Sequence, residues 1–195
     1  MDILDSFIPT LSLQNINHWI NELNVKVKIT PPRKTKLGDF KVTKGSLYIS
    51  INNDLNPYSF LITLTHELAH AFVYTRHKRA VAPHGYQWQE IFQSMMLHFL
   101  KPTIFPKDIL MALSAYLKKP KASTLTDLNL AAVLKKYDSV KVLTISEIDD
   151  ESIFSISNGK VFRKGNKLRK RYKCIECTTK KIYLFHPLAE VILIQ

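Results

Sequence analysis

Hydrophobic positions in the first two thirds of the chain follow two spacings. Leu11, Leu13, Ile16, Trp19, Ile20 and Leu23 recur three and four apart, predicting an amphipathic helix over residues 11–23. Residues 25–29, 39–42 and 46–52 alternate apolar with polar, with breaks at Pro31-Pro32 and Gly45, and predict three short strands of an antiparallel sheet. Residues 60–74 form an apolar run broken only by Thr63, Thr65, His66, Glu67 and His70. Asn56-Pro57 supplies a cap and a proline for the first helical position, so a helix should run over about 57–76. After a polar stretch over 75–83, a second helix is predicted over about 85–100, with Trp88, Ile91, Phe92, Met95, Met96 and Phe99 on its apolar side. Two more follow near 107–118 and 126–137.

From residue 139 the pattern changes to short β segments at 140–145, 152–156, 161–163, 168–175 and 182–185, with Asn158-Gly159 and Gly165-Asn166 as turn signals. The apolar run 189–195 should complete that sheet or cover its core.

The chemistry is concentrated in the buried-looking helix. Residues 66–70 read His-Glu-Leu-Ala-His. Two histidines four apart on a helix project from one face, so they can share one Zn²⁺ while the intervening glutamate reaches a water on the metal. His66, Glu67 and His70 otherwise sit among Leu61, Ile62, Leu64, Leu68, Ala69, Phe72 and Val73, where ionisable groups are costly unless a metal or hydrogen bonds compensate. These residues lead to the expectation of a catalytic zinc with Glu67 as its catalytic glutamate. The fold class expected is α+β: a helical, zincin-like metal domain with a small antiparallel sheet over 1–138, then a small basic β unit over 139–195.

A catalytic zinc usually takes three protein ligands and keeps one position open. His77 lies on the face of His70 but two turns on, about 10 Å away along a continuous helix, too far to share the ion. Val73 and Arg76 occupy the positions where the longer H-E-x-x-H-x-x-G-x-x-H motif needs Gly and His. Glu90, twenty residues after His70 on the following helix, and His84, at the start of that helix, both remain candidates. Sequence distance does not separate them.

His66-Glu-Leu-Ala-His70-Ala71 followed by Pro83-His84-Gly85-x-x-Trp88 resembles the SprT-like (Spartan-related) zinc metallopeptidase family, which includes a protease of DNA-protein crosslinks. The likeness is closest over 54–100, and the chain as a whole looks like a bacterial SprT-like domain protein. The resemblance implies that His66, His70 and His84 bind zinc, that Glu67 is catalytic and that Trp88 packs behind the site. It also implies that Glu90 is not a ligand.

Charge adds a second expectation. The chain carries 28 Lys and Arg against 16 Asp and Glu, a formal net charge of +12, which favours a polyanionic partner, nucleic acid before membrane. Ten of these cations lie between Lys160 and Lys181, and Lys167, Arg169, Lys170, Arg171 and Lys173 are the candidate DNA contacts, with Phe162 and Tyr172 as rings that could stack on bases. Cys174 and Cys177 lack a second cysteine pair, and His186 could add only a third ligand, so they are expected to be ordinary thiols rather than a zinc ribbon. No apolar run approaches a membrane span and the N-terminus lacks a signal-like pattern, so a cytoplasmic location and no membrane partner are expected.

These readings lead to a zinc-dependent peptidase acting on protein substrates, including DNA-bound ones. The alternative is a nucleic-acid-binding regulator whose zinc is structural and whose peptidase activity is negligible. A third reading keeps the peptidase and discards the DNA.

Overall fold

The computed structural model describes residues 3–33, 35–78, 81–123 and 126–194. Met1 and Asp2, part of the polar stretch after the first long helix, and Gln195 at the end of the terminal run therefore lie outside the described residues. Internal contacts divide the chain into two compact units, 1–138 and 139–195.

In the first unit, α1 (Leu13–Leu23) buries Ile16, Trp19 and Leu23 and ends at Asn24, whose left-handed conformation closes the helix. Strands β1 (Val25–Thr30), β2 (Gly38–Thr43) and β3 (Ser46–Asn52) form one sheet in the order β1-β3-β2. Lys44 and Gly45 both have positive φ, the conformation that a two-residue turn needs to join β2 to β3 as an antiparallel hairpin. β1 instead pairs with the other edge of β3, in parallel, with Val25 opposite Leu47. The sheet is mixed, which corrects the wholly antiparallel expectation. Alternation identifies strands but not their neighbours, and Pro31-Pro32 opens a connection too irregular for a tight hairpin between β1 and β2.

Helix α2 (Pro57–His77) packs against β2, β3, α1 and α3 (Tyr86–Leu97). Every residue from Phe60 to Val73 except His70 is buried. Its apolar positions surround the axis because it has neighbours on several sides. Thr63 and Thr65 are tolerated in this setting because their hydroxyls donate back to the carbonyls of Ser59 and Leu61, at 2.7 and 2.8 Å. Helices α4 (Lys107–Leu117) and α5 (Leu128–Lys135) pack on each other and complete the unit.

Asn56 fixes where α2 begins. Its Oδ1 accepts from the Ser59 backbone N–H at 2.9 Å, and its Nδ2 donates to the Leu134 carbonyl at 2.9 Å and to Asp138 Oδ1 at 2.6 Å. One buried side chain thus caps α2 and ties it to the end of α5.

The second unit is an antiparallel sheet in the order β7-β6-β5-β4-β8, from β4 (Ile153–Ser155), β5 (Val161–Lys167), β6 (Tyr172–Glu176), β7 (Ile182–Phe185) and β8 (Ile192–Ile194). Its core is Ile145, Ile148, Phe154, Phe162, Tyr172, Cys174 and Val191. β8 closes the β4 edge, as the terminal apolar run suggested. Asn158-Gly159 makes the β4–β5 turn, with Gly159 at φ +81°.

Two sequence readings need correction here. Residues 140–145 form no strand: pairing is confined to an isolated bridge from Thr144 to Glu190, flanked by the Val191 N–H donating to the Leu143 carbonyl and the Ile145 N–H to the Ala189 carbonyl, and Val140 and Leu143 stay exposed. Gly165-Asn166 is not a turn either. It lies inside β5 where the register to β6 shifts, and a Cβ on Gly165 would come within 2.6 Å of the Lys173 carbonyl oxygen. The glycine serves a close backbone approach at a bulge. The chain reverses at residues 168–171, where the Leu168 N–H donates to the Arg171 carbonyl at 2.7 Å.

Asn56→Ala removes a cap and two buried hydrogen bonds, and should lower the unfolding free energy of the first unit by about 2 kcal/mol. Denaturation followed by tryptophan fluorescence reads this unit specifically, because Trp19 and Trp88 are the only tryptophans and both belong to it.

Candidate metal centre

His66 and His70 are one turn apart on α2, and His84 arrives from the turn before α3. That turn is closed by the Gly85 N–H donating to the Ala82 carbonyl at 3.0 Å, and Gln89 Nε2 donates to the His84 carbonyl at 3.4 Å. The three Nε2 atoms converge: His66 to His70 is 3.2 Å, His70 to His84 is 3.0 Å and His84 to His66 is 3.2 Å. Among the described residues, these three alone bring metal-ligating atoms into one cluster.

The triangle cannot satisfy itself. Each Nε2 either carries a proton or presents a lone pair. With two states on three atoms, at least one side of the triangle sets proton against proton or lone pair against lone pair. A cation on the common axis removes the conflict, since all three can then present lone pairs. Imidazoles on a tetrahedral zinc at about 2.0–2.1 Å have nitrogens about 3.3 Å apart, close to what these rings already show. The residues present therefore fit a zinc ion.

Their protonation suits ligation as well. Burial, with His70 and His84 beside it, holds His66 far below the usual imidazole range, at about 3; burial and His84 hold His70 at about 4. Burial also lowers His84. Each of these shifts favours the neutral ring, the state a metal requires.

Trp88 forms one wall of the centre. Fully buried, its ring lies 4.6 Å from His66, 5.5 Å from His70 and 4.9 Å from His84, centroid to centroid, and stacks on Phe92 at 5.0 Å. Its Nε1–H donates to the His66 backbone carbonyl at 3.4 Å. A single rigid indole thus limits the orientations of all three imidazoles.

Glu67 faces a cleft of about 200 Å3 that runs from His66 past Gly38 and Thr63 to residues 35–37 and Ala122. Only 8% of its surface is exposed. Burial, and then Asp39, push its carboxyl up to about 8, opposed by a hydrogen bond from the Phe40 backbone and by Arg33 and Lys36. A divalent cation at the neighbouring histidines would favour the ionised form instead.

The structure separates the candidates that sequence distance left level. His84 joins the cluster. Glu90 is exposed on α3, accepts a hydrogen bond from the Tyr86 hydroxyl at 3.2 Å and borders a different groove, with Arg76 and His98. His77 is the exposed last residue of α2. Gly38 and Asp39 carry no motif that would have announced them, and β2 brings them to Glu67 only through the fold, whereas Thr63 shares the Glu67 face of α2 by its four-residue spacing.

The basic candidates fare unevenly. Lys167, Arg169, Lys170 and Arg171 are exposed around the β5–β6 turn, and Lys173 is half-buried on β6. Phe162 and Tyr172, expected as stacking rings, are instead core side chains at 1% and 9% exposure, so they have no face for a base. Two neighbouring cations are engaged in the fold: Lys164 donates to the Ile148 carbonyl at 2.6 Å and pairs with Asp150, and Lys160 pairs with Glu176. Cys174 is buried and Cys177 half-buried, and neither carries a disulfide.

No helix among the described residues is long and apolar enough to cross a membrane. No curated protein matches the chain significantly. Residues 11–106 match the SprT-like family, a segment that runs from the approach to α1 up to the residue before α4 and contains His66, Glu67, His70 and His84. The match spans all four of these residues, and residues 11–106 belong to the SprT-like family.

Proposed function

We propose that this chain is a zinc-dependent endopeptidase whose substrates include proteins held on DNA. The observation that carries the first part is the convergence of three imidazoles beside a buried glutamate that opens onto a cleft. Membership of the SprT-like family is consistent with a hydrolase of the metallopeptidase type.

His66, His70 and His84 would hold the ion. Zinc bound there supplies a Lewis acid for a peptide carbonyl and brings the pKa of water toward neutrality. Glu67 is the group placed to take the proton from that water and to return it to the leaving amine. Its exclusion from solvent strengthens its interactions with charge that develops in the cleft. Trp88 limits the rotation of the three rings, which keeps the donor set organised before a metal arrives. A purely structural site has no need of Glu67 beside it, which favours the enzyme over the regulator reading.

The assignment to DNA-bound substrates is supported by the cluster at the β5–β6 turn. With the aromatic rings buried, the remaining chemistry is attraction of Lys167, Arg169, Lys170 and Arg171 to phosphates, which carries no base specificity.

Glu67→Gln should retain zinc at the wild-type stoichiometry and lose cleavage of a disordered protein; wild-type turnover would contradict the role of Glu67. His84→Ala should lose zinc after mild chelation under conditions in which Glu90→Ala keeps it, measured by metal analysis of both variants. Affinity for a DNA duplex should be indifferent to sequence and fall about a hundredfold between 50 and 200 mM salt if four phosphates are neutralised. A flat salt response, or binding unchanged when the four turn cations are replaced by glutamine, would remove the DNA assignment.

A further inference from the structure

We propose that Gly38 is a positioning residue for Glu67: the lack of a side chain at the head of β2 leaves the space in which the carboxylate stands. This rests on the peptidase reading given above. A Cβ built on Gly38 would lie 2.9 Å from Glu67 Cγ, 2.9 Å from Glu67 Oε1 and 2.8 Å from Thr63 Cγ2, all inside normal carbon contact distances. Glycine is not needed there for the backbone. The glycines with positive φ are Gly45 and Gly159, whereas Gly38 lies in strand, in register with Ile51 of β3. Space is the constraint.

Which group would yield to an added methyl follows from how each neighbour is held. Thr63 is buried, and its hydroxyl donates to the Ser59 carbonyl at 2.7 Å, so turning its methyl away breaks that bond. The backbone at residue 38 is held by its pairing to β3. Glu67 is held by a hydrogen bond from the Phe40 backbone, but it is unbranched and has three rotatable side-chain bonds, so its carboxylate is the group that moves. Thr63 and Glu67 are four apart on α2 and share a face, and Gly38 seats directly against both. The three imidazoles are not among the atoms that the added carbon meets first. A side chain at position 38 therefore displaces the base while leaving the ligands in place.

The test compares full-length wild type, Gly38→Ala and the double variant Gly38→Ala/Thr63→Ser, each loaded with zinc. Four quantities are read: zinc stoichiometry, melting temperature, steady-state cleavage of a disordered protein, and the 13C resonance of the Glu67 carboxyl, assigned with Glu67→Gln. Gly38→Ala should keep its zinc, shift the Glu67 resonance and lower kcat between about tenfold and a hundredfold with KM within about twofold. The double variant keeps the hydroxyl bond, removes the crowding methyl and should recover part of the lost kcat. An unmoved resonance with full kcat overturns the proposal, and so does a fall in kcat matched by an equal loss of zinc. If Gly38→Ala does not fold, the double variant decides by the same readings. If wild type cleaves no protein, the peptidase reading fails, and the resonance still decides whether Gly38 sets the position of Glu67.

Discussion

Three imidazole nitrogens held about 3 Å apart cannot all be satisfied by one another, and the rest of the first unit is arranged around that conflict. Two of them are fixed by helical periodicity, which needs only α2 to remain a helix. The third depends on tertiary structure, because His84 must be returned to α2 by the turn that precedes α3. The energetic case for an ion is correspondingly direct. Ring nitrogens drawn from water need compensation, and at least one pair in this triangle sets like against like.

Burial is what makes the arrangement chemical as well as structural. α2 is apolar on nearly every side, so it packs between the sheet, α1 and α3 and carries His66 and Glu67 into surroundings where charge is poorly solvated. The same desolvation pushes histidine and glutamate in opposite directions: it keeps the imidazoles neutral and raises the carboxyl. Trp88 and Phe92 complete that dry wall with stacked rings. Residues of the mixed sheet then set what surrounds Glu67, with Asp39, the Phe40 backbone and the open space at Gly38 all contributed by β2.

Much of this was legible in the order of residues, for reasons that can be named. α2 was readable because Asn56-Pro57 marks its start, and because an apolar run of this length has few other uses in a small domain. β3 was readable from alternation, and its observed bounds are those of the alternating run. Neighbour relations were harder. Parallel pairing of β1 with β3 leaves no local signature, the 140–145 segment looks like a strand until its pairing is found to be a single isolated bridge, and Gly165 looks like a turn until Lys173 is found pressed against it. At the metal centre, His66, Glu67 and His70 follow from helix geometry, but the choice of His84 over Glu90 needed the family resemblance first and the fold afterwards. The basic segment shows the converse limit. Composition placed Phe162 and Tyr172 beside the cations, but strand alternation turned both rings into the core.

X-ray absorption at the zinc edge of the purified wild-type protein reads directly whether His66, His70 and His84 hold a zinc ion with one position left open. One zinc per chain is expected, with three imidazole nitrogens at about 2.0–2.1 Å, an oxygen ligand in the remaining position and no sulfur. Sulfur scattering at about 2.3 Å, or a filled four-protein-ligand shell with no exchangeable position, would contradict it.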